Sequence, residues 1–127
     1  MTFLIDTHVL IWYIEGDTRL TKEVISAIEN NKNHIYVSKA SLWEMAIKIS
    51  NGKLKVSIAF EELESFLRVH GFEILDFNFS HLKTLLSLHY HHGDPFDRLI
   101  ISQAITNSYT IISQDKSFEN YAAKLLK

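Results

Sequence analysis

The sequence contains no cysteine, one proline and four glycines in its 127 residues. The absence of cysteine excludes disulfides and thiolate metal sites, and so few glycines and prolines leave no linker or low-complexity tract. No apolar run approaches the ~20 residues that a membrane-spanning helix needs, and the first apolar run stops at Asp6. We therefore expect a cytoplasmic protein that has no signal peptide and no membrane partner.

The chain also lacks a large excess of one charge, because 13 basic residues are balanced by 15 acidic ones. The net charge of −2 counts against a generally basic nucleic-acid-binding surface. An RNA substrate stays open, since divalent cations held by clustered acids would reverse the local charge. The length and the hydrophobic fraction of 46% fit one globular domain that spans residues 1–127.

Short apolar runs rich in strand-forming residues alternate with segments of helical periodicity. Predicted strands cover residues 3–5, 34–38, 72–75 and 109–112. Predicted helices cover residues 21–28, 42–49, 59–69, 80–88, 96–106 and 118–126. Strands that alternate with helices and are apolar nearly throughout are typical of a parallel sheet covered on both faces. The predicted fold class is therefore α/β.

Four acidic residues fall near the carboxyl ends of predicted strands. Asp6 directly follows the first strand, and Asp115 lies three residues after the last one. Glu44 and Asp97 lie in the first turns of predicted helices. Because ligand sites of open parallel sheets form beyond the carboxyl ends of the strands, we expect the four acids to converge there.

Each acid also fits a purely structural role. Asp94-Pro95 is typical of a helix N-cap followed by proline at the first helical position. Asp97 has the spacing of a capping box from that cap, and Glu44 has the same spacing from the serine three residues before it. Asp6 and Asp115 similarly fit a turn and a helix cap. Caps alone do not explain why all four acids fall at one predicted edge, so we favour a shared site.

Clustered carboxylates need compensation, because two such charges 4 Å apart repel by about 4 kcal/mol at an effective dielectric constant near 20. A cluster is stable when it is protonated or when it holds cations. Ligands that are all oxygen favour Mg²⁺ or Mn²⁺ over zinc. Such ions activate water and stabilise charge on phosphate, so the chemistry that the cluster indicates is phosphodiester hydrolysis.

Four segments that occur in order along the chain resemble one known family. They are residues 4–10 (LIDTHVL), 38–48 (SKASLWEMAIK), 94–101 (DPFDRLII) and 112–115 (ISQD). Any one of these segments is common, but together they resemble PIN-domain proteins of the VapC-like group, the nuclease half of bacterial toxin–antitoxin pairs. The resemblance spans nearly the whole chain.

The resemblance implies a three-layer α/β/α sandwich around a parallel sheet and an endoribonuclease that requires Mg²⁺ or Mn²⁺. It makes Asp6, Glu44, Asp97 and Asp115 the catalytic and metal-binding residues of this chain. It also implies a homodimer and a small antitoxin partner that silences the activity. Gly93 departs from the pattern, because a basic residue is expected before Asp94.

Three residues beside the acids are expected to orient ligands from a second layer. Ser113 matches a small hydroxyl residue of the family pattern, Thr7 follows Asp6, and Asp94 begins the DPFD segment.

Basic residues near these motifs are candidate RNA contacts. Arg98 either binds phosphate bidentately or pairs with a neighbouring acid. Lys39 and Lys48 belong to the most basic stretch of the chain, which ends with Lys53 and Lys55. Such runs are usually solvated helix faces, yet this one is the best candidate path for RNA.

Histidines and aromatic residues give weaker signals. The cluster of His89, His91 and His92 lacks a repeated metal-ligand spacing, so contact with RNA or with a dimer partner is preferred to a metal role. His8 is expected to pack rather than to enter the site. We assign Trp12, Trp43 and Phe96 to the core rather than to base stacking.

Two other functions fit the same sequence. The first is a non-catalytic PIN-fold binding module that acts through its antitoxin or dimer surface. The second is phosphotransfer through an aspartyl-phosphate on Asp6, although His8 stands where many such phosphatases have a second aspartate.

Overall fold

A five-stranded, all-parallel sheet organises the chain in the computed structural model, which describes residues 1–127. The strands are β1 (Thr2–Ile5), β2 (His34–Ser38), β3 (Phe72–Leu75), β4 (Thr110–Ile112) and β5 (Leu125–Leu126). The α-helices are α1 (Thr7–Glu15), α2 (Lys22–Glu29), α3 (Lys39–Ser50), α4 (Phe60–Val69), α5 (Phe79–Ser87) and α6 (Pro95–Asn107). A short 3₁₀ helix covers Lys116–Asn120. The strand order is β3-β2-β1-β4-β5.

The sheet is buried on both faces, which confirms the predicted α/β/α sandwich. Phe3 and Ile5 of β1 join a core cluster with side chains of α1, α2 and α4, whereas Leu4 joins a second cluster with α6. Successive side chains of a strand point to opposite faces, so a strand covered on both sides needs a continuous apolar run. None of the helices is both long and apolar enough to cross a membrane.

The caps of two helices show which of the acidic residues act as helix caps. The side chain of Asp94 accepts hydrogen bonds from the backbone N–H groups of Phe96 and Asp97, so the predicted cap of α6 is confirmed. The reciprocal bond from the Asp97 carboxylate to the cap is absent. Helix α3 begins at Lys39 and is capped by Ser38, so Glu44 lies in its second turn and belongs to no capping box.

The predicted helix over residues 118–126 is wrong. The 3₁₀ helix ends at Asn120, and the chain then forms the edge strand β5 beside β4. The N–H groups of Ile111 and Ser113 donate to the carbonyls of Lys124 and Leu126 at 2.8 and 3.0 Å. These bonds satisfy backbone N–H groups of β4 and of the residue after it that a helix would leave unpaired, so sheet pairing overrides the local helical pattern.

Candidate active site

The structure brings the four predicted acids to the carboxyl edge of the sheet. Asp6 lies between β1 and α1, and Asp115 lies between β4 and the 3₁₀ helix. Glu44 is on α3 and Asp97 is at the first turn of α6. Asp6, Glu44 and Asp97 are buried, although carboxylates are rarely buried without a partner. A buried acidic cluster therefore forms where the sequence predicts it.

The electrostatics of the cluster show that these carboxylates influence one another. Burial, which is the largest cause, and the negative charges of Asp6, Asp94, Glu44 and Asp115 together raise the pKa of Asp97 to about 8. Burial also raises the pKa of Asp6, although the hydrogen bond from Ser113 acts in the opposite direction. A positive charge in the cluster would lower the pKa of both carboxyl groups, because it favours their ionised forms.

Two oxygens of the cluster have no partner. Oδ1 of Asp6 and Oε1 of Glu44 are inaccessible to solvent and accept no hydrogen bond from the protein. Leaving a buried acceptor unsatisfied costs about 1–3 kcal/mol, and more when the group is charged. Two open carboxylate oxygens on different parts of the chain, one at the start of α1 and one on α3, point to a ligand that the acids share.

Hydroxyl groups fix the positions of the acids. Oγ of Ser113 donates to Oδ2 of Asp6 at 2.9 Å and accepts from the backbone N–H of Asp115 at 3.1 Å. Ser113 thereby links the first and last acids of the chain. Thr7 bonds to no acid: its Oγ1 donates to Oγ of Ser41 at 2.8 Å, which ties the start of α1 to α3.

The two candidate lysines on α3 differ in surroundings. Nζ of Lys48 lies 2.6 Å from Oε2 of Glu44, and this hydrogen bond raises the pKa of Lys48. Lys48 is therefore the cation of the acidic site. Lys39 is the first residue of α3, and its exposed Nζ pairs with the Asp76 carboxylate at 3.1 Å. Lys39 has no contact with the acids.

Comparison with known proteins decides the family. The sequence model of the PIN domain matches residues 3–124. The chain belongs to the PIN-domain family. No curated protein has a sequence similar enough to count as a relative.

Solved structures share the fold of this PIN domain. It is similar to a chain of VapBC2 from Rickettsia felis bound to a promoter DNA fragment, with a TM-score of 0.74, 21% identity, and coverage of 99% of this chain and 98% of that one. DNA-bound VapBC from Salmonella typhimurium gives a TM-score of 0.72, 15% identity, and coverage of 99% and 97%. FitAcB from Neisseria gonorrhoeae gives a TM-score of 0.66, 17% identity, and coverage of 98% and 96%. The predicted PIN-domain family is confirmed by the sequence model, and the fold of the chain is shared with these toxin–antitoxin structures.

The predicted RNA contact of Arg98 is not supported by its position in the PIN domain. Arg98 is buried, and its two terminal nitrogens donate to the carbonyls of His89 and Leu88 at 2.9 and 3.1 Å. The ring of Tyr90 covers the guanidinium at 3.8 Å. Arg98 therefore holds the loop before α6 and does not face solvent. Sequence alone could not show this, because the partners are backbone carbonyls.

That loop carries a residue whose place in the site the sequence did not predict. Nε2 of His92 is inaccessible to solvent, lacks a hydrogen-bond partner and lies 3.8 Å from Oδ2 of Asp97. Its Nδ1 is 3.3 Å from the hydroxyl of Tyr121, which also accepts from the backbone N–H groups of His91 and His92. The available signal was a histidine cluster next to the DPFD segment, and only His92 contacts the acids.

The donor set of the PIN domain fits a hydrated divalent ion. No three Asp, Glu or His side chains lie close enough together to ligate one ion directly. Mg²⁺ retains several waters and is held by one or two carboxylates together with substrate phosphate. The open oxygens of Asp6 and Glu44 supply such carboxylates, and the absence of sulfur ligands is consistent with Mg²⁺ or Mn²⁺.

Proposed function

We propose that this PIN domain is a Mg²⁺- or Mn²⁺-dependent endoribonuclease and the toxin of a toxin–antitoxin pair that acts in the cytoplasm. The observation that carries the proposal is the buried acidic cluster, in which two carboxylate oxygens have no partner and the pKa of Asp97 is raised to about 8. A protein maintains such a repulsive cluster at a cost in stability, which is typical of a functional site.

Each acid has a defined part in the proposed site. Asp6 and Glu44 would contact the ion directly, and Asp97 and Asp115 would hold it through its bound waters. Ser113 keeps Asp6 and Asp115 in register. Once bound, a divalent ion lowers the pKa of the attacking water and stabilises the charge that develops on the phosphate. Lys48 would exchange its bond with Glu44 for one with the RNA phosphate, because it is the cation nearest to the acids.

The antitoxin would bind an apolar groove between α3 and α4. The chains with the same fold come from VapBC and FitAcB assemblies. In this chain the groove is lined by Leu42, Phe60, Leu63, Leu67 and Ile74. Glu61 and Glu64 lie at its rim, so the partner segment should combine apolar and basic side chains. Co-expression with the product of the neighbouring open reading frame should give a complex that can be purified, and Phe60→Asp should prevent that complex from forming.

The homodimer stays a proposal that rests on the resemblance. Helix α5 exposes Phe79 and Leu86, whose relative accessibilities are 85% and 88%. These side chains would lie in the dimer interface. A Leu86→Glu variant that has the same molar mass in solution as the wild-type protein would contradict this assignment.

The decisive experiment measures cleavage of a labelled single-stranded RNA with Mg²⁺, with Mn²⁺ and with chelator. We expect cleavage only with metal, and a loss of about 100-fold or more in Asp6→Asn and Asp97→Asn, the scale of losing one electrostatic contact to a transition state. Asp76→Asn is the matched control, since Asp76 is exposed and paired with Lys39.

The alternatives predict other outcomes. Cleavage that persists in Asp6→Asn would contradict the proposed role of the acids. Protein that binds no Mn²⁺ by calorimetry would favour the non-catalytic module. A DNA strand of the same sequence, cut at the same rate, would contradict the RNA preference.

A further inference from the structure

A cleft of about 400 Å³ opens beside the acidic cluster. Glu44 and Lys48 form its inner end, next to the proposed reaction centre. Its outer part lies between the end of α1 and the segment that follows α3, and is lined by Trp12, Arg19, Lys53 and Lys55. The volume is in the range of small-molecule sites, which is roughly 300–1,000 Å³. The proposed function uses only its inner end.

One wall of the cleft is a flat, fixed surface. The guanidinium of Arg19 lies 4.5 Å above the ring of Trp12. Asp17 holds it from the side, with Nε at 3.1 Å from both carboxylate oxygens and a terminal nitrogen at 2.7 Å from one. The Arg19 side chain nevertheless has a relative accessibility of 65%. Since its charge is already paired, it offers a planar stacking face more than a phosphate contact.

The cleft lining also carries unpaired positive charge. Lys53 and Lys55 are exposed and have no carboxylate within 4.0 Å. The segment that bears them is ordered, because the backbone N–H of Lys53 donates to the carbonyl of Lys48 at 2.8 Å and that of Ser57 donates to Glu15 at 2.6 Å. Two ammonium groups without a carboxylate partner thus line the same cleft as the stacked pair.

We propose that this cleft binds one unpaired nucleotide of single-stranded RNA next to the scissile phosphate. The base stacks on the Arg19 face, which Trp12 supports, and the flanking phosphates bind Lys53 and Lys55. Aromatic rings and guanidinium planes are the usual platforms for splayed-out bases, and lysines bind the backbone beside them. A paired base has no free face, so the subsite selects unpaired RNA. This inference rests on the proposed ribonuclease function.

The phosphate half of the proposal is tested by salt dependence in an Asp97→Asn background, which prevents cleavage. The affinity for a short labelled RNA is measured by anisotropy at several KCl concentrations, with and without Lys53→Gln/Lys55→Gln. Each lost phosphate contact lowers the slope of log K against log[KCl] by about 0.7, so the double variant should lose about 1.4. The control is Lys32→Gln/Lys83→Gln, which makes the same charge change elsewhere and should leave the slope unchanged. Equal slopes for the two double variants would overturn the proposal.

The base half is tested by NMR, because the chain has only two tryptophans. On addition of the RNA, the indole N–H signal of Trp12 should shift and that of Trp43 should not. Arg19→Lys keeps the charge but removes the planar face, so it should reduce the Trp12 shift and leave the salt slope unchanged. Bound RNA that leaves the Trp12 signal unmoved overturns the subsite.

Failure of the subsite and failure of the function give different results. If the subsite is wrong, wild-type protein still cuts RNA while the lysine and Arg19 variants keep its KM. If the function is wrong, no variant cuts RNA with any metal.

Discussion

Nζ of Lys48 and Oε2 of Glu44 lie 2.6 Å apart, one turn along α3, at the edge of the acidic cluster. The lysine therefore occupies one oxygen of an acid whose other oxygen has no partner. The ammonium and a metal ion would compete for the charge of Glu44, so under the proposed function Lys48 would adjust the affinity for metal as well as for phosphate.

Replacing Lys48 should separate these two effects. In Lys48→Gln we expect Mn²⁺ to bind about tenfold more tightly, which corresponds to the removal of about 1.4 kcal/mol of repulsion. RNA affinity should fall at the same time. Calorimetry with Mn²⁺ and anisotropy with RNA measure both. Lys39→Gln, on the same helix but paired with Asp76, is the control and should change neither.

The metal-free protein should lose stability as the pH rises. The pKa of Asp97 is about 8 in the folded protein, above the value near 4 of an unfolded chain. Between about pH 4 and pH 8 the Asp97 carboxyl is therefore protonated in the folded protein but ionised in the unfolded chain. The stabilisation of the folded state by this proton is complete below about pH 4 and is lost as the pH rises through about 8. Thermal unfolding in chelator should give a lower Tm at alkaline than at neutral pH. Asp97→Asn should flatten this dependence, and an unchanged slope in that variant would contradict the assignment.

The hydroxyl of Tyr121 should stabilise the loop that carries His92. It accepts from the backbone N–H groups of His91 and His92 and from the guanidinium of Arg98, all at 3.3 Å. Tyr121→Phe leaves the two backbone N–H groups without this acceptor, so unfolding in urea should require about 1–3 kcal/mol less free energy. Hydrogen exchange at the two histidine amides should accelerate. Tyr90→Phe removes a hydroxyl from an exposed residue of the same loop and should change neither measurement.

Ser113 should matter for metal binding more than for folding. Its hydroxyl bonds Asp6 and the backbone of Asp115, and removing such a supporting group typically lowers metal affinity about 10–100-fold. Calorimetry on Ser113→Ala should show this loss. Ser102→Ala removes another buried hydroxyl, one that bonds only to the carbonyl of Arg98, and should bind metal normally.

Local sequence predicted the elements whose pattern and burial agree. The apolar run that ends at Asp6 forms β1, and Asp94-Pro95 starts α6. The acids lie at the edge of the sheet that the sequence predicts, because the direction of parallel strands alone determines where their carboxyl ends meet. The sequence does not predict α1 as a separate helix, because only Asp6, Thr7 and His8 stand between the strand and the next apolar residues.

The remaining differences depend on contacts between distant residues. Residues 125–126 form a strand because their pairing satisfies backbone groups along the edge of β4. Trp43, which the sequence predicts in the core, is exposed with a relative accessibility of 58%, and its ring lies edge-on to that of Phe96 with the ring centroids 5.2 Å apart. Arg98 is buried and donates to backbone carbonyls, and His92 lies beside Asp97 because of the path of a loop without regular structure. Residue type alone determines none of these positions.

The strand order has a consequence for how the protein is made. β1 pairs with β4, and the bond from Ser113 to Asp6 joins residues 107 positions apart. A ribosome therefore releases almost the entire polypeptide before the first acid can meet the last. The acidic cluster is therefore completed only when synthesis is nearly finished, and under the proposed function the growing chain would be unable to cut the message from which it is translated.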